Sequence, residues 1–424
     1  MRILWITNIP IGKAGELFFG RKSNGLWMDA ALDDFVKEQA HELFVATTGE
    51  TRNTRIASDS GVTYYLLPDR IGYKYKSGVK SNLAAIAQML EEVSPDVIQI
   101  WGTEFQVALD VLQCNGGKVP AVVFIQGVVA SLSRYMKAGI REKDILLHYS
   151  PMDLVAHTGI YSQVKRYRKQ AMTEEKVVAA AGNVIGENEW SRAYYAAISE
   201  DVKFHACPLQ LNRIFADRQW CADTVTPYSI MCNSSNYSIK GLHILLQAMH
   251  ILKPRYPKIR LYLPGANQAG KHDLKSTLKQ SGYIKYIKKL IRRYELGDSI
   301  DFLPFLTPEQ MADKMKESNV FVVPSAIENH SSSLKEAMLV GVPSIGTYVG
   351  GVSEYVKHGE NGFIYRFEEA EVLAYHIGRI FESRELAEKL SQNGRRDMMA
   401  LHVDYDIHAR MIEIYREIIE DAKK

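Results

Sequence analysis

The chain is short of cysteine, of long apolar runs and of net charge, and each shortage removes a class of protein. Its four cysteines, Cys114, Cys207, Cys221 and Cys232, form no C-x-x-C pair, so neither a zinc knuckle nor a dithiol redox motif is expected. At 424 residues it needs no disulfide framework, and a reduced, cytoplasmic setting is the simpler expectation. The longest apolar stretch, Val119 to Leu132, is interrupted by Gln126 and Gly127. It falls short of the about 20 residues that cross a bilayer, so any membrane contact is expected to be peripheral, at the inner face. The opening MRILWITNIP carries one Arg and is broken by Asn8 and Pro10, which reads as a first buried strand and not a secretory signal. A net charge of +3 is too small to point to nucleic acid. No G-x-G-x-x-G follows a strand pattern, which argues against a nicotinamide dehydrogenase. Internal repeats and low-complexity segments are absent.

What is present is an alternation of strand and helix patterns, too long for one ordinary core. Ile3–Thr7, Leu43–Thr47, Asp96–Trp101 and Ala121–Gln126 read as strands, and Leu26–Gln39 as a helix after a loop carrying Gly12, Gly15, Gly20 and Gly25. The pattern lapses near Pro208–Pro227 and resumes with Tyr228–Cys232 as a strand, Gly241–Leu252 as a helix, and Arg260–Leu263 and Ser299–Leu303 as strands. The predicted fold class is α/β: two Rossmann-like β/α/β domains facing across a cleft. The predicted boundaries are 1–210 for an N-terminal, acceptor-side domain, 227–402 for a C-terminal, nucleotide-binding domain, and 403–424 for a terminal helix packing back on the first. Ile407, Met411, Ile414, Tyr415 and Ile418 give that helix one apolar face.

The chemistry concentrates between Ser325 and Gly362. Asn319–Pro324 (NVFVVP) is a buried-strand signal, SAIENHSSS a polar loop, and Leu334–Val340 a short helix closed by Gly341 and Pro343. Ser344–Val349 follows as a strand and Gly350–Gly351 as a tight loop. Ser331, Ser332 and Ser333 stand where the helix begins, and free N–H groups with the positive dipole end make that point an anion site fit for a diphosphate. Glu336, about one turn in, is placed to accept from vicinal ribose hydroxyls. Glu328, in the loop, is placed to reach a sugar hydroxyl. The double glycine lets backbone approach a ligand closely. Ser333-x-x-Glu336 also fits a capping box, a purely structural alternative. Lys240, just before a helix start, is disfavoured there by the dipole, and a nearby diphosphate would compensate.

These residues resemble family 4 glycosyltransferases, whose signature stands here as ENHSSSLKEAMLVGVPSIGTYVGGVSEYVKHGENGFIY, with Glu328 and Glu336 eight residues apart and Lys240–Gly241 fitting the phosphate-contacting lysine. PDVIQIWGTE, VVFIQG, GYIKYIKKLI and SNGLWMDAAL look like a subgroup of bacterial surface-polysaccharide assembly. The resemblance implies a GT-B architecture and a retaining, metal-independent sugar transfer from a UDP- or GDP-sugar to a saccharide or lipid-linked saccharide. It implies Glu328 at the donor sugar, Lys240 at the diphosphate and Glu336 at the ribose. Ser332, Ser333, Gly350 and Gly351 would lie near the nucleotide phosphates, and Gly25 in the loop lining the cleft from the first domain. Three positions depart from the family: Ser235 and Glu187 stand where an Arg is common, and Gln126 where a His is common. No cofactor is expected beyond the donor.

Other signals are weaker. Asp404-Tyr405-Asp406 is a D-x-D pattern but precedes the terminal helix, where acids favour a helix start. His330 and His205 lack partners visible in sequence. Basic clusters at Lys165–Lys169 and from Lys271 to Arg293 are candidates for contact with anionic lipid. Competing functions are a nucleotide-sugar epimerase on the same fold and a non-catalytic nucleotide-sugar-binding subunit.

Overall fold

The computed structural model describes every residue except 23, 24, 26, 69–82, 234, 235, 266, 267 and 271–278. Ser235 and the basic positions from Lys271 to residue 278 therefore lie outside the described residues. The chain divides into two compact units. The first comprises Met1–Ala130, Arg166–Leu211 and Asp406–Lys424, and the second Ser131–Lys165 and Asn212–Tyr405.

In the first unit the strands are β1 (Arg2–Ile6), β2 (Glu42–Gly49), β3 (Arg55–Asp59), β4 (Val62–Pro68), β5 (Val97–Trp101), β6 (Ala121–Phe124), β7 (Asn183–Gly186) and β8 (Lys203–Ala206). Among the described residues they form one eight-stranded sheet in the order β3-β4-β2-β1-β5-β6-β7-β8, and β3 pairs antiparallel to β4 while the other pairs are parallel. Central parallel strands are covered on both faces by crossover helices, which is why β5 (VIQIW) is buried along its whole length. The terminal helix Ile407–Asp421 belongs to this unit. Its apolar face is buried, Trp5 Nε1 donates to Tyr415 Oη at 3.2 Å, and Tyr415 Oη donates in turn to Gln99. Asp406 caps that helix by accepting from the Ala409 N–H at 2.8 Å.

In the second unit β9 (Thr226–Met231), β10 (Arg260–Leu263), β11 (Ile300–Phe302), β12 (Ser318–Val323), β13 (Ser344–Thr347) and β14 (Phe363–Tyr365) form a sheet in the order β11-β10-β9-β12-β13-β14, parallel throughout. The chain travels from β9 out to β11, returns across the sheet to β12, and then proceeds the other way. β9 and β12 therefore flank the point where strand order reverses, the place where open α/β sheets hold ligands at their carboxyl ends.

One segment departs from the sequence-based boundary at 210. Residues Ser131–Lys165 group with the second unit. Their backbone finds its partners there: Ser238 Oγ donates to the Met136 carbonyl at 2.5 Å, the His243 ring lies 2.8 Å from the Ala138 carbonyl, and the Gly282 N–H donates to Asp153 at 2.9 Å. Burial pushes the His243 imidazole down to about 4.

Candidate active site

Three loops meet at the carboxyl ends of β9, β12 and β13. After β9, a single 3-10 turn, Ser238–Lys240, leads through Gly241 into the helix Leu242–Leu252. After β12, residues 324–331 form the loop that carries Glu328 and ends at the helix Ser332–Val340. After β13 comes the double-glycine loop.

Two glycines make this stacking possible. Gly241 has φ +69°, and a Cβ there would stand 1.6 Å from the Pro324 carbonyl oxygen. Gly350 has φ +53°, and a Cβ there would stand 1.7 Å from the Glu328 carbonyl oxygen. Only glycine fits either place. At Gly350 the close approach that the structure shows is to the backbone of the Glu328 loop. Backbone bonds complete the sandwich. The Ala326 N–H donates to Ile239 at 2.8 Å, the Gly351 N–H to Asn329 at 3.1 Å, and Thr347 Oγ1 to the Ser325 carbonyl at 2.7 Å.

This frame brings Lys240 Nζ to 2.6 Å from Glu328 Oε1, across 88 residues of sequence. The lysine side chain is 39% exposed and the glutamate 11%, so the ammonium stays accessible at the rim while the carboxylate is drawn in. A pair of this kind is worth little to stability when half solvated. Its significance is positional: a fixed cation and a fixed acceptor side by side at the switch point.

The helix Ser332–Val340 starts beside them. Its N-cap is Ser331, held at φ +44°, and Ser331 makes no side-chain cap bond. The capping box anticipated from Ser333 and Glu336 is therefore not formed, since Ser333 already lies inside the helix. Ser332 and Ser333 sit in the first turn, where helical N–H groups lack intrahelical acceptors and favour an anion.

Glu336 follows on this helix, partly buried, and burial alone pushes its carboxyl from an ordinary 4.5 up to about 7. The native state thus holds more protons than the unfolded chain between those values, so its share of stability is present at acidic pH and lost as pH rises. Glu336→Gln is expected to remove up to roughly 3 kcal/mol of that loss. Urea midpoints measured at about pH 5 and about pH 8 check this: relative to the parent, the variant gains stability only at the higher pH.

In the first unit Gly25 is buried, and its N–H donates to Asp29 Oδ2 at 2.8 Å. The Gly12 N–H donates to Asp29 Oδ1 at 2.7 Å, so one carboxylate accepts from both Gly12 and Gly25. The segment between them, expected to be a loop, contains the short helix Ala14–Phe19, with Gly15 inside it and Gly20 as its left-handed C-cap. Burial raises the Asp29 carboxyl despite these donors. Asp29 was not singled out from the sequence, although an acid in the first turn of a helix was a legible signal. Glu174 left no such signal. Buried within the helix Ile160–Ala181, it accepts from Thr103 Oγ1 at 2.7 Å, from the Val129 and Ala130 N–H groups at 3.1 Å each, and from Tyr195 Oη at 2.9 Å. It ties together the loops after β5 and β6. Gln126, in the second of these, has its Nε2 3.6 Å from Met28 Sδ, and Glu187 Oε1 accepts from the Leu209 N–H at 2.5 Å.

The uncharacterized glycosyltransferase YqgM of Bacillus subtilis is 26% identical over 183 residues, 43% of this chain and 47% of that protein. The chain spans less than half the length of the curated relatives it matches first. A sucrose-phosphate synthase from Thermosynechococcus elongatus superposes with a TM-score of 0.73 at 18% identity, covering 99% of this chain and 100% of that one. Anabaena HepE, solved with UDP and glucose, gives 0.65 at 16% identity with 99% of each chain covered. Residues 222–397, which hold the three stacked loops, match the family of glycosyl transferases group 1, and the two Rossmann-like units have the GT-B glycosyltransferase fold.

Proposed function

We propose that the protein transfers a sugar from a nucleoside diphosphate sugar, UDP- or GDP-linked, to a hydroxyl of a saccharide or lipid-linked saccharide, with retention and without a metal, as a family 4 transferase of bacterial surface-polysaccharide synthesis. The observation that carries this reading is the Lys240–Glu328 pair at the strand-order reversal, beside a helix start whose serine cap is unused. The UDP and glucose bound by Anabaena HepE support a donor of this class.

In this reading the diphosphate sits on the first turn at Ser332 and Ser333, near the Gly350–Gly351 loop, with Lys240 on its oxygens. Glu336 accepts from the ribose hydroxyls and Glu328 from a hydroxyl of the sugar. Gly25 lines the acceptor side. The bond between the anomeric carbon and the diphosphate oxygen breaks, and its electron pair leaves with the diphosphate. The acceptor oxygen bonds to that carbon on the same face, and its proton passes to the departing phosphate oxygen. Lys240 and the helix start meet the charge where it develops. Peripheral contact with a membrane, through the Lys165–Lys169 cluster, would place the enzyme beside a lipid-linked acceptor.

A thermal-shift panel of UDP, GDP, ADP and their sugars tests the donor. A nucleotide at a hundred times its Kd is expected to add about 2.7 kcal/mol to stability. Glu336→Ala is expected to weaken that nucleotide at least about tenfold, the worth of a hydrogen bond to a charged group. An unmoved melting temperature across the panel, or unchanged affinity in the variant, contradicts the assignment.

A further inference from the structure

Two short helices in the second unit are built inside out. In Glu142–Leu147 the buried side chains are Asp144 and Ile145, and in Pro151–Val155 the buried one is Asp153. Within the same ten residues Leu146 is 63% exposed, Leu147 71%, Leu154 64% and Val155 81%. A surface helix in water ordinarily turns its carboxylates out and its aliphatics in.

The inversion is held by named bonds. Asp153 accepts from the Ser150 N–H and the Gly282 N–H, each at 2.9 Å, and from Thr158 Oγ1, also at 2.9 Å. Asp144 pairs with Arg141 at 2.8 Å, and Lys289 lies 3.8 Å from it. The exposed Glu142 is paired with Lys137. Two of the three acids of this segment are therefore turned inward, while four of its aliphatic side chains face solvent.

The neighbouring helix carries charge of one sign. The helix Gly282–Arg293 (GYIKYIKKLIRR) packs on the hairpin, with the Tyr286 ring 5.5 Å from the His148 ring. Tyr283, Ile284, Ile287 and Leu290 form its buried face, while Arg292 and Arg293 are exposed and Lys285 and Lys288 partly so. It contains no acidic residue. Four exposed aliphatics on a segment packed against a cationic helix match an interface of acyl chains below anionic headgroups.

We propose that this hairpin docks the protein on an anionic phospholipid surface, with Leu146, Leu147, Leu154 and Val155 entering the acyl boundary and the helix Gly282–Arg293 meeting the headgroups. The proposal rests on the peripheral contact put forward above; it favours the second of the two basic clusters, within Gly282–Arg293, over Lys165–Lys169, and adds the apolar residues packed beside it. Each cation near the bilayer and each inserted aliphatic adds to the partition, so both contributions are separable by mutation.

Flotation of the full chain with phosphatidylcholine vesicles, with and without phosphatidylglycerol, provides the test. The parent is expected to float with the anionic vesicles and weakly with the neutral ones. Combining Leu146→Ser, Leu147→Ser, Leu154→Ser and Val155→Ser is expected to lower partition at least about tenfold, given the several methylenes each withdraws. Lys285→Glu with Arg292→Glu is expected to lower it about tenfold or more on the anionic vesicles alone. Should the quadruple variant melt low, Val155→Ser at the most exposed position gives the same direction with a smaller loss. Parental flotation of the serine variants, or equal flotation on both vesicles, overturns the proposal. So does a parent that dimerises without lipid and becomes monomeric on serine substitution, which assigns the surface to a second copy. Loss of flotation by Lys165→Glu with Lys169→Glu alone, the serine variants floating normally, returns the contact to the cluster. None of these outcomes depends on sugar turnover, so they do not stand or fall with the transferase reading.

Discussion

Lys240→Met is expected to lower kcat for sugar transfer by about 10²–10³-fold, the loss that follows removal of one preorganised group at a developing charge. In the proposed transfer the diphosphate gains negative charge as the glycosidic bond breaks, so the ammonium would matter more in the transition state than in the ground state. The KM for the donor is therefore expected to move by only a few fold. Glu328→Ala is expected to lower turnover as well, but to leave affinity for the free nucleoside diphosphate within a few fold of the parent, because in the proposed reading its ligand partner is the sugar. Steady-state kinetics with the donor found in the thermal-shift panel, together with nucleotide titration, separates the two. Unchanged kcat in Lys240→Met would remove the lysine from the mechanism. The ground-state pair between Lys240 Nζ and Glu328 Oε1 at 2.6 Å also predicts that the two substitutions are not additive.

Gly241→Ala is expected to cost at least about 3 kcal/mol, combining a left-handed backbone with an unavoidable collision. Its Cβ would lie 1.6 Å from the Pro324 carbonyl oxygen, and the opposing atom is backbone at the end of a central strand, which cannot swing aside. Gly61→Ala provides the control. It shares a positive φ, +81°, but no atom lies within 4 Å of the added Cβ, so strain alone remains at about 1 kcal/mol. Thermal unfolding of the two variants measures the difference. A Gly241→Ala variant as stable as Gly61→Ala would mean that the loops after β9 and β12 are not stacked as described. Gly350→Ala meets the Glu328 carbonyl at 1.7 Å and is expected to follow Gly241→Ala in stability.

Much of the fold was legible because parallel strands announce themselves. Runs such as NVFVVP and VIQIW are apolar on both faces, a pattern that an alternating, half-exposed strand does not give. The boundaries of Arg260–Leu263 and of the helix at Leu242 followed from turn residues nearby. The segment Ser131–Lys165 was not legible. Its allegiance rests on bonds from Ser238, His243 and Gly282, each more than 100 residues away in sequence. No local pattern encodes a partner at that distance. The inside-out hairpin escaped for the same reason, since Asp153 reads as a solvated acid until Gly282 is seen to donate to it. The capping box was a case of a correct motif without its geometry. Ser333 and Glu336 have the spacing, but the helix begins before them, and Ser331 takes the cap position without making the cap bond.

Residue order alone supplies the chemical groups: a lysine before a glycine, two glutamates eight residues apart, a serine-rich helix start and a double glycine. Residue type and spacing are local, and a strand–loop–helix array writes them in order. That Lys240 and Glu328 meet is a property of the fold, because it depends on β12 returning to lie beside β9. Strand order is set by non-local pairing, and the two glycines that let the loops stack show their purpose only against the carbonyls of Pro324 and Glu328. Folding thus converts a list of suitable residues into one site, since a charge stabilises a leaving group only from the few ångströms at which the chain holds it.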